Sequence, residues 1–368
     1  MSGQGSGVRT PFEPDVVELR SVPGFIVFDV PDAEISAGGT RMAADVTVAE
    51  VALLARAMTY KYAALGARVG GAKAGVVGDP RDRAARAALM ARYCAEIRPM
   101  VDTGRFLTGP DMGTFEDDFA PLRADLAAPA VMSAVVDGVP FEDLLTGYGV
   151  AVAGETALRA TAGGDWHGRS AAIEGFGKVG GGVAREIIRR GGRVVAVSTV
   201  AGSIADPSGL DIDRLLDLRT SHGDDCVVHY GRPIGRPADL FSAEAEVIVP
   251  GARPGVISSQ VAQSLAGTVR VVAPAANVPY TRAGAEVLRA RDIAALPDFV
   301  CNAGAVLGYR SAPEASPAQV LAAVGDRISE LLTAVMSHPS GPLAGACEDA
   351  ATFLRDWWGD APPPPFAD

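Results

Sequence analysis

Two lysines that lie twelve positions apart, Lys61 and Lys73, are the first candidates for chemistry in this sequence. The segment between them is mostly apolar and carries Gly70 and Gly71. Small residues let a ligand approach the backbone closely, and ammonium groups are seldom placed beside such a segment only to be solvated. One lysine could hold a substrate carboxylate, while the other, desolvated beside a second cation, would give up its proton more readily. The pair predicts a site for an anionic substrate.

Asp111 is a third candidate, because it stands in a polar turn at the predicted end of a strand. A carboxylate there can act as a general acid or base if it faces the same site. Each residue also has an ordinary structural alternative: Lys61 as the solvated end of a helix, Lys73 as a loop charge and Asp111 as a turn former. Their combination favours chemistry.

A glycine turn follows a hundred residues later, between an apolar strand and a helix. Glycines at this spacing permit a tight turn, let backbone amides approach a pyrophosphate and keep the helix close to the sheet. Residues 170–198 therefore predict a βαβ unit of a parallel sheet. The dinucleotide-binding residues are predicted to be Gly175, Gly177, Lys178, Val179 and Gly180.

The second strand of this unit ends in Ser198 and Thr199. An NAD-binding unit usually has Asp or Glu there, which accepts hydrogen bonds from the ribose. Without that acid nothing repels a 2′-phosphate, and Arg193 could pair with one, which favours NADP. Alternatively, the two hydroxyls bind the ribose of NAD. The sequence leaves NAD and NADP open.

The elements that must position these residues indicate an α/β protein. Residues 25–28 and the glycines at 38 and 39 suggest paired strands, and helices are expected over 48–65 and 82–97. Lys61 then falls near the end of the first helix, and Lys73 lies beyond a glycine-broken loop. A further helix is expected to start near Thr146.

The second half predicts further buried strands at 247–250 and 269–272, separated by helical stretches. Two helices, over about 317–336 and 343–358, close the chain. The proline run at 362–365 cannot continue a helix, and we expect a disordered tail there.

Composition excludes several classes of partner. With 368 residues and 48% hydrophobic content, the chain can form two domains with separate cores. A net charge of -11 argues against nucleic acid, and no basic cluster or long apolar run indicates a membrane. Cysteines and histidines lack metal-binding spacing, so we expect no metal site, buried thiols and a cytoplasmic protein.

From about residue 38 to residue 307 the chain resembles the glutamate, leucine, phenylalanine and valine dehydrogenase family. Seven motifs occur in the family's order. They are Met58-Thr59-Tyr60-Lys61, Gly70-Gly71-Ala72-Lys73, Asp111-Met112-Gly113-Thr114, Thr146-Gly147-Tyr148-Gly149-Val150, the turn at Gly175, Ala275-Ala276-Asn277, and Pro297-Asp298-Phe299-Val300-Cys301-Asn302-Ala303-Gly304.

The resemblance implies roles for the three candidates. Lys61 would hold the substrate α-carboxylate, Lys73 would polarise the carbonyl or activate water, and Asp111 would carry protons to and from the amino group. Closure of a cleft between the domains would exclude water.

The resemblance also implies a cofactor position. Thr146, Asn277 and Asn302 would place the nicotinamide and its ribose beside the substrate Cα, so that hydride passes between that carbon and the ring.

Substrate choice is expected to depend on two apolar positions. Glutamate-specific members of the family carry a lysine just before the Gly-Gly turn and a serine near the Asn-Ala-Gly motif, where this chain has Ala37 and Val306. A distal carboxylate would be left without a partner, which disfavours glutamate. The implied substrate residues are Lys61, Gly39, Ala37, Asn277 and Val306.

Two departures from the family pattern add a methyl group where close approach is expected. Ala72 replaces a glycine before Lys73, and Ala305 replaces one after Gly304. They leave the catalytic groups in place but suggest an unusual substrate or a reduced turnover.

The sequence thus predicts a substrate domain over 1–148, a Rossmann-like dinucleotide-binding domain over 149–310, and C-terminal helices that return across the hinge, with the tail, over 311–368. The expected activity is NAD(P)-dependent oxidative deamination of an apolar or aromatic L-amino acid to its 2-oxo acid and ammonia, by a homo-oligomer. The alternatives are a catalytically silent nucleotide-binding regulator and an imine reductase that uses another amine.

Overall fold

A computed structural model describes residues 12–123, 129–136 and 139–367. The chain divides into two compact units. Unit 1 contains Met1–Ala127 and Asp349–Pro365, and unit 2 contains Ala128–Glu348 and Phe366–Asp368. Together they form a mixed α/β architecture, as the sequence predicts.

Unit 1 is a sheet covered by helices. Its elements are β1 (Asp15–Glu18), β2 (Gly24–Phe28), β3 (Ser36–Ala37), β4 (Thr40–Ala43), α1 (Val48–Ala64), β5 (Gly70–Val77), α2 (Arg83–Asp102), β6 (Phe106–Leu107) and α3 (Ala120–Arg123). The helices predicted over 48–65 and 82–97 are confirmed as α1 and α2, and α2 extends to Asp102. Thr47 begins α1, because its hydroxyl accepts a hydrogen bond from the amide of Glu50.

The strand order of unit 1 is β1-β2-β5-β3-β6, with β4 also paired to β5. β2 is antiparallel to β1 and β5, whereas β3 and β4 both run parallel to β5. Residues 25–28 are paired as expected, in β2, but the glycines at 38 and 39 do not form a turn. They separate β3 from β4, and both strands run in the same direction along β5. The chain lies close to β5 at this point, because a Cβ at Gly38 would lie 1.7 Å from the carbonyl oxygen of Ala72.

Lys73 lies beyond the loop that follows α1, as expected, and it stands in β5, a central and almost fully buried strand. The two glycines before it allow helix packing. A Cβ at Gly71 would lie 2.0 Å from the carbonyl oxygen of Ala55 and 2.3 Å from the amide of Thr59, so α1 can rest on β5 only where side chains are missing. The two lysines are therefore carried by a helix and a strand that pack directly together.

The residues after the last helix are ordered in unit 1, which corrects the expected disordered tail. Tyr60 donates from its hydroxyl to the carbonyl oxygen of Pro362 at 2.6 Å, and Arg56 donates to that of Pro363 at 3.1 Å. Proline cannot donate from its backbone, but its carbonyl accepts normally. The tail therefore supports α1 at the residue preceding Lys61.

Removing this contact is expected to destabilise the protein. Tyr60→Phe leaves a buried carbonyl without its donor, which we expect to lower the free energy of unfolding by about 1–2 kcal/mol. Urea unfolding of Tyr60→Phe, of a chain ending at Gly359 and of the combination measures the effect. The substitution is expected to cost nothing further in the shortened chain; equal losses in both backgrounds would show that the tail does not act through Tyr60.

Unit 2 contains the predicted βαβ unit and its continuation. Its elements are β7 (Val135–Val136), β8 (Val139–Pro140), α4 (Phe141–Ala162), β9 (Ser170–Glu174), α5 (Lys178–Arg189), β10 (Arg193–Thr199), β11 (Gly202–Ala205), α6 (Ile212–His222), α7 (Cys226–His229), β12 (Val247–Pro250), α8 (Ser259–Ser264), β13 (Val271–Val272), α9 (Arg282–Ala290), β14 (Ala294–Ala295), α10 (Asp298–Cys301), α11 (Gly304–Gly308), α12 (Pro317–Val335) and α13 (Pro342–Trp358). The residues of α13 from Asp349 onward belong to unit 1. The two predicted closing helices are confirmed as α12 and α13.

The main sheet of unit 2 has the order β11-β10-β9-β12-β13-β14 and is parallel except for β11. The chain builds from β9 to β10 on one side and then returns to β12 on the other. Ligands of such sheets bind where the strand order reverses, outside the carboxyl ends of the strands. The ends of β9 and β12 are that place here.

The helix expected to start near Thr146 begins at Phe141, so Thr146 lies inside α4. The apolar residues before it extend the same buried face, and sequence alone gave no cap to mark the start. All four cysteines are free and buried, as predicted. Within the described residues, no helix has the length and apolar character needed to cross a membrane.

Candidate active site

Lys73 and Asp111, two of the three predicted residues, form an ion pair in unit 1. The Nζ of Lys73 donates to Oδ2 of Asp111 at 2.5 Å, and both side chains are largely buried. The expectation that Lys73 acts beside a second cation is therefore incomplete, because its immediate partner in this structure is a carboxylate.

The turn that carries Asp111 is fixed to β4. The hydroxyl of Thr114 donates to the carbonyl oxygen of Thr40 at 2.8 Å and accepts from the amide of Asp111 at 3.0 Å. Gly113 adopts a φ of +80°, and a Cβ there would lie 2.1 Å from the carbonyl oxygen of Met42. The Asp-Met-Gly-Thr motif thus positions one carboxylate by a tight turn against a strand.

Burial alone would raise the pKa of Asp111, but the charges of Lys73 and Arg41, together with hydrogen bonds, hold it well below its usual range. Asp111 is a carboxylate at neutral pH. It therefore starts as a proton acceptor. It becomes a stronger base whenever a substrate draws Lys73 away from it, because one of the two stabilising charges is then shared.

Arg41 is a residue of this site that the sequence reasoning missed. It lies in β4 and is 8% exposed, with Nη1 on Glu50 and Nη2 3.6 Å from Oδ1 of Asp111. The sequence feature that could have revealed it is an arginine in an apolar strand just after the glycines at 38 and 39. A charged side chain is seldom buried in a core without a partner.

Lys61 is 5% exposed and lies near the end of α1. Its neighbour one turn earlier on the same face, Met58, comes within 3.4 Å of the Cβ position of Gly38. Lys61 is therefore not the solvated helix end of the structural alternative. It belongs to the helix that packs over β5 and over Gly38.

The predicted substrate residues Ala37 and Gly39 flank Gly38. Ala37 ends β3 and is 7% exposed, so its methyl group is part of the buried surface. A Cβ at Gly39 would lie 2.7 Å from the carbonyl oxygen of Pro110 and 3.0 Å from Cβ of Asp111. The absence of a side chain at Gly39 therefore allows the turn that carries Asp111 to lie against the backbone between β3 and β4.

The glycine turn of unit 2 divides its work among three positions. Gly175 adopts a φ of +86°, which only glycine takes readily. A Cβ at Gly180 would lie 1.9 Å from the carbonyl oxygen of Gly175, so this glycine lets α5 approach the turn. A Cβ at Gly177 would meet no atom of the described residues within 4 Å. Space is thus left open at the beginning of α5, where backbone amides and the helix dipole favour a phosphate.

Glu174 joins the two loops at the switch point, a role that the sequence analysis does not predict. It is buried at the end of β9, and its Oε2 accepts from the amides of Gly251 and Ala252 at 3.0 and 2.9 Å. Burial raises its pKa, against the lowering effect of these bonds. This carboxylate holds the loop after β12 against the glycine turn.

The end of β10 leaves the cofactor choice open. Ser198 and Thr199 are buried there, and the hydroxyl of Thr199 donates to the carbonyl oxygen of Asp224 at 2.7 Å. Arg193 starts this strand, so about 20 Å of extended chain separate it from Thr199. The idea that Arg193 pairs with a 2′-phosphate is therefore wrong. Arg193 lies at the amino end of β10, whereas the ligand is expected at the carboxyl ends of the strands.

Lys178 and Val179 begin α5, as predicted. The Nζ of Lys178 lies 3.6 Å from Oδ2 of Asp143 in α4, and its side chain is 63% exposed. Burial raises the pKa of Asp143, and the charge of Lys178 opposes this. The side chain of Lys178 thus has a partner within unit 2, while its backbone lies at the amino end of the helix.

Asn277 and Asn302 meet in unit 2, which the sequence could only imply. The amide nitrogen of Asn302 donates to Oδ1 of Asn277 at 3.0 Å and to the carbonyl oxygen of Ala275 at 3.2 Å. Oδ1 of Asn302 is buried and has no hydrogen-bond partner among the residues that the structure describes. A buried acceptor without a donor is costly, and a ligand that donates there would satisfy it.

The turn after Asn277 is strained. Val278 adopts a φ of +51°, a conformation that costs a branched residue about 1–3 kcal/mol. Asp298, 2% exposed at the start of α10, accepts from the amide of Val278 at 2.8 Å and holds the turn. Asp298 is a second buried acid whose role the sequence reasoning missed.

Thr146 of α4 contacts the segment that follows Asn302, and Val306 belongs to that segment. Thr146 donates to the carbonyl oxygen of Glu142 at 3.3 Å, and a Cβ at Gly304 would lie 3.1 Å from the amide of Thr146. Val306 is half-buried in α11. The segment that follows Asn302 therefore packs on α4 beside Thr146.

The two added methyl groups do not fall at the closest approaches. Ala72 lies in β5 and Ala305 in α11, and neither has a positive φ. The tight contacts belong to their neighbours Gly71 and Gly304, whose Cβ positions lie 2.0 and 2.1 Å from backbone oxygens. The backbone restriction expected from these alanines is therefore absent.

These features fit a dinucleotide. An open glycine lies at a helix amino end, two loops are joined at the switch point of a parallel sheet, and a buried amide oxygen lacks a donor. Together with the Lys73–Asp111 ion pair of unit 1, they define a two-unit protein with a dinucleotide-binding sheet and a separate cluster of buried charges.

Comparisons with known proteins identify the family. The model described as Glutamate/Leucine/Phenylalanine/Valine dehydrogenase matches residues 138–336, and the Glu/Leu/Phe/Val dehydrogenase dimerisation-domain model matches residues 6–126. The chain belongs to this family. It is therefore an amino acid dehydrogenase that uses NAD or NADP, which confirms the resemblance, the enzyme class and the cofactor class predicted from the sequence.

Curated relatives are similar over much of their length. Glutamate dehydrogenase A2 of Halobacterium salinarum is 33% identical over 281 residues, which are 73% of this chain and 67% of that protein. The NAD-specific glutamate dehydrogenase of Staphylococcus aureus is 29% identical over 312 residues, covering 81% and 74%.

Solved structures share the fold. The hetero-hexameric glutamate dehydrogenase of Thermus thermophilus in its Leu-bound form has a TM-score of 0.78 at 23% identity, covering 94% of this chain and 87% of that one. L-tryptophan dehydrogenase of Nostoc punctiforme has a TM-score of 0.62 at 18% identity, covering 94% and 96%.

Proposed function

We propose that this dehydrogenase interconverts an apolar or aromatic L-amino acid and its 2-oxo acid, with release or uptake of ammonia. The observation that carries the proposal is the buried methyl group of Ala37, which is paired with Gly71 of β5 and Leu107 of β6. Bound NAD or NADP supplies the hydride acceptor or donor.

Unit 1 would bind the amino acid and move its protons. Lys61, from the helix over the Gly-Gly segment, anchors the α-carboxylate. Asp111, a carboxylate at neutral pH, accepts the proton of the substrate ammonium. Lys73, already hydrogen-bonded to Asp111, donates to the substrate oxygen during hydrolysis of the imine.

Unit 2 would bind the cofactor. The amides at the beginning of α5 would hold its pyrophosphate, and the space at Gly177 would let it approach them. Asn302 offers its unpaired Oδ1 to an amide donor, and its bond to Asn277 fixes that oxygen. Thr146, on the adjoining helix, lies beside the same segment.

Two lines of comparison bear on the substrate and point in different directions. The curated relatives are named glutamate dehydrogenases, while the solved structures include an L-tryptophan dehydrogenase. Ala37 and Val306 favour the second, because neither can pair with a distal carboxylate. A buried carboxylate left without its partner costs about 3–5 kcal/mol.

A substrate panel tests this. We expect the best of leucine, valine, phenylalanine and tryptophan to exceed glutamate in kcat/KM by at least about 100-fold. Formation of reduced cofactor is followed by absorbance with NAD and with NADP in parallel. Glutamate as the best substrate would overturn the proposal.

Two variants sharpen the test. Ala37→Lys is expected to raise kcat/KM for glutamate relative to the apolar substrates, whereas Ala37→Met, of similar length but uncharged, is not.

Reductive assays with ammonia and with methylamine separate amino acid dehydrogenation from imine reduction by another amine. Cofactor binding without turnover of any amino or 2-oxo acid would support a silent regulator.

We further propose that the chain works as a homo-oligomer. The support is the match of residues 6–126 to a domain described as a dimerisation domain and the hexameric assembly named for one structural neighbour. Light scattering of the purified protein measures the number of subunits.

A further inference from the structure

We propose that Arg41 is a positioning residue, which holds Oδ1 of Asp111 so that Oδ2 stays directed at Lys73 and at the substrate amino group. The inference rests on the proposed roles of Asp111 and Lys73. It adds a residue of β4 that touches neither substrate nor cofactor in that scheme and acts only through Asp111.

The two oxygens of Asp111 have different partners. Oδ2 accepts from Lys73 at 2.5 Å, while Oδ1 accepts from the amide of Met112 at 2.7 Å and lies 3.6 Å from Nη2 of Arg41. A carboxylate with one cation on each oxygen has a fixed plane. If Lys73 swings to a substrate, Oδ1 is still held and the carboxylate keeps its direction.

Arg41 is itself held from the other side. Its Nη1 donates to Oε1 of Glu50, on the first turn of α1. Lys73 from β5 and Arg41 from β4 thus both face Asp111, with Glu50 behind Arg41. The fork of a guanidinium suits this geometry, because it can contact two acids at once.

Arg41 also pays a cost that packing does not explain. Its Nε is buried and finds no hydrogen-bond partner in the described part of the chain. A buried donor left unsatisfied is destabilising, and such groups are tolerated mainly where they have a function. A plain apolar residue in β4 would avoid this cost, so the position retains its charge for the carboxylate in front of it.

Steady-state kinetics of substituted enzymes test the proposal. Arg41→Met is expected to lower kcat at least about tenfold, because the carboxylate loses its fixed direction, with KM within about threefold because Lys61 is unchanged. Arg41→Lys keeps the charge near Oδ1 and is expected to recover part of the loss. Glu50→Gln, which loosens Arg41 without removing it, is expected to lower kcat by less than Arg41→Met.

A matched control separates positioning from general stabilisation. Arg169, the residue before β9, is half-buried and donates to Glu246 at 2.6 Å. This ion pair belongs to unit 2, whereas Arg41, Lys73 and Asp111 belong to unit 1. Arg169→Met is expected to lower the melting temperature but to leave kcat per folded molecule unchanged. If Arg41→Met behaves like Arg169→Met, Arg41 is structural only and the proposal fails.

Asp111→Asn distinguishes the two levels of the argument. If that variant retains wild-type kcat, the assignment of Asp111 is wrong, whatever Arg41 does. If Asp111→Asn loses turnover while Arg41→Met and Glu50→Gln both retain it, only the role of Arg41 is wrong. Should Arg41→Met fail to fold, Arg41→Lys and Glu50→Gln decide: unchanged kcat in both overturns the proposal.

Discussion

Asp111→Asn is expected to reduce kcat by about 10²–10⁴-fold, the contribution of a positioned general acid or base. Asparagine has the same shape and can still accept from Lys73, but it cannot take up a proton. Binding of the amino acid depends on Lys61, which is unaltered, so KM is expected to change only a few-fold. The loss of kcat with a retained KM identifies Asp111 as a group that acts in the reaction and not in binding.

The control for Asp111→Asn is another buried acid of unit 1. Oδ1 of Asp118 lies 3.3 Å from Nε of Arg86, and its side chain is 6% exposed. Asp118→Asn removes a comparable buried charge pair and is expected to lower stability while leaving kcat within about threefold. Equal kcat in the two variants, measured under saturating amino acid and cofactor, would show that Asp111 is only a structural ion-pair partner.

Much of unit 2 could be predicted because its signals are local. An apolar strand, three spaced glycines and an amphipathic helix follow one another within residues 170–198, and each constrains the backbone where it stands. The same holds for the two closing helices, because their first residues are marked in the sequence: α12 begins with Ser316 as its cap and Pro317, and α13 begins at Pro342. The start of α4 had no such mark, and it was placed several residues too late.

The surroundings of Lys73 could not be predicted from its own segment. Glycines before a lysine are typical of a loop, and composition does not show that a helix will rest on them. The reason for glycine at position 71 is the backbone of Ala55 and Thr59, which belong to another element. The constraint comes from packing between α1 and β5, so it appears only in the folded structure.

Buried charges were missed for a related reason. Arg41, Glu174 and Asp298 each neutralise or hold a group from a distant segment: a carboxylate, two loop amides and a strained turn. The sequence shows the charge but not its partner. A charged residue inside an apolar strand or at its end is nevertheless a usable signal, because it is too costly to bury without one.

The proline run shows the opposite error. Residues 362–365 lack backbone donors, which excludes a helix, yet their carbonyl oxygens remain good acceptors. Two side chains of α1 supply the donors. A low helix propensity therefore did not mean a lack of order, since the order comes from the helix that the tail contacts.

Gly177→Ala is expected to weaken binding of the dinucleotide at least about tenfold while leaving the fold intact. The backbone at Gly177 has a φ of -84°, which alanine adopts, and an added Cβ would meet no protein atom within 4 Å. The methyl group would instead occupy the open space at the beginning of α5, where a pyrophosphate must approach the amides. A melting temperature close to that of the wild type together with a raised Kd is the expected pair of results.

Two other glycines of unit 2 make this test specific. Gly180→Ala would place a Cβ 1.9 Å from the carbonyl oxygen of Gly175, so α5 must shift and stability is expected to fall by about 1–3 kcal/mol. Gly267→Ala, where a Cβ also meets nothing within 4 Å, is expected to change neither binding nor stability. Titration with NADH and NADPH by fluorescence, beside thermal unfolding, measures both quantities. Wild-type affinity in Gly177→Ala would mean that the phosphates do not approach this turn, because the added methyl group would occupy the space through which they reach the amides.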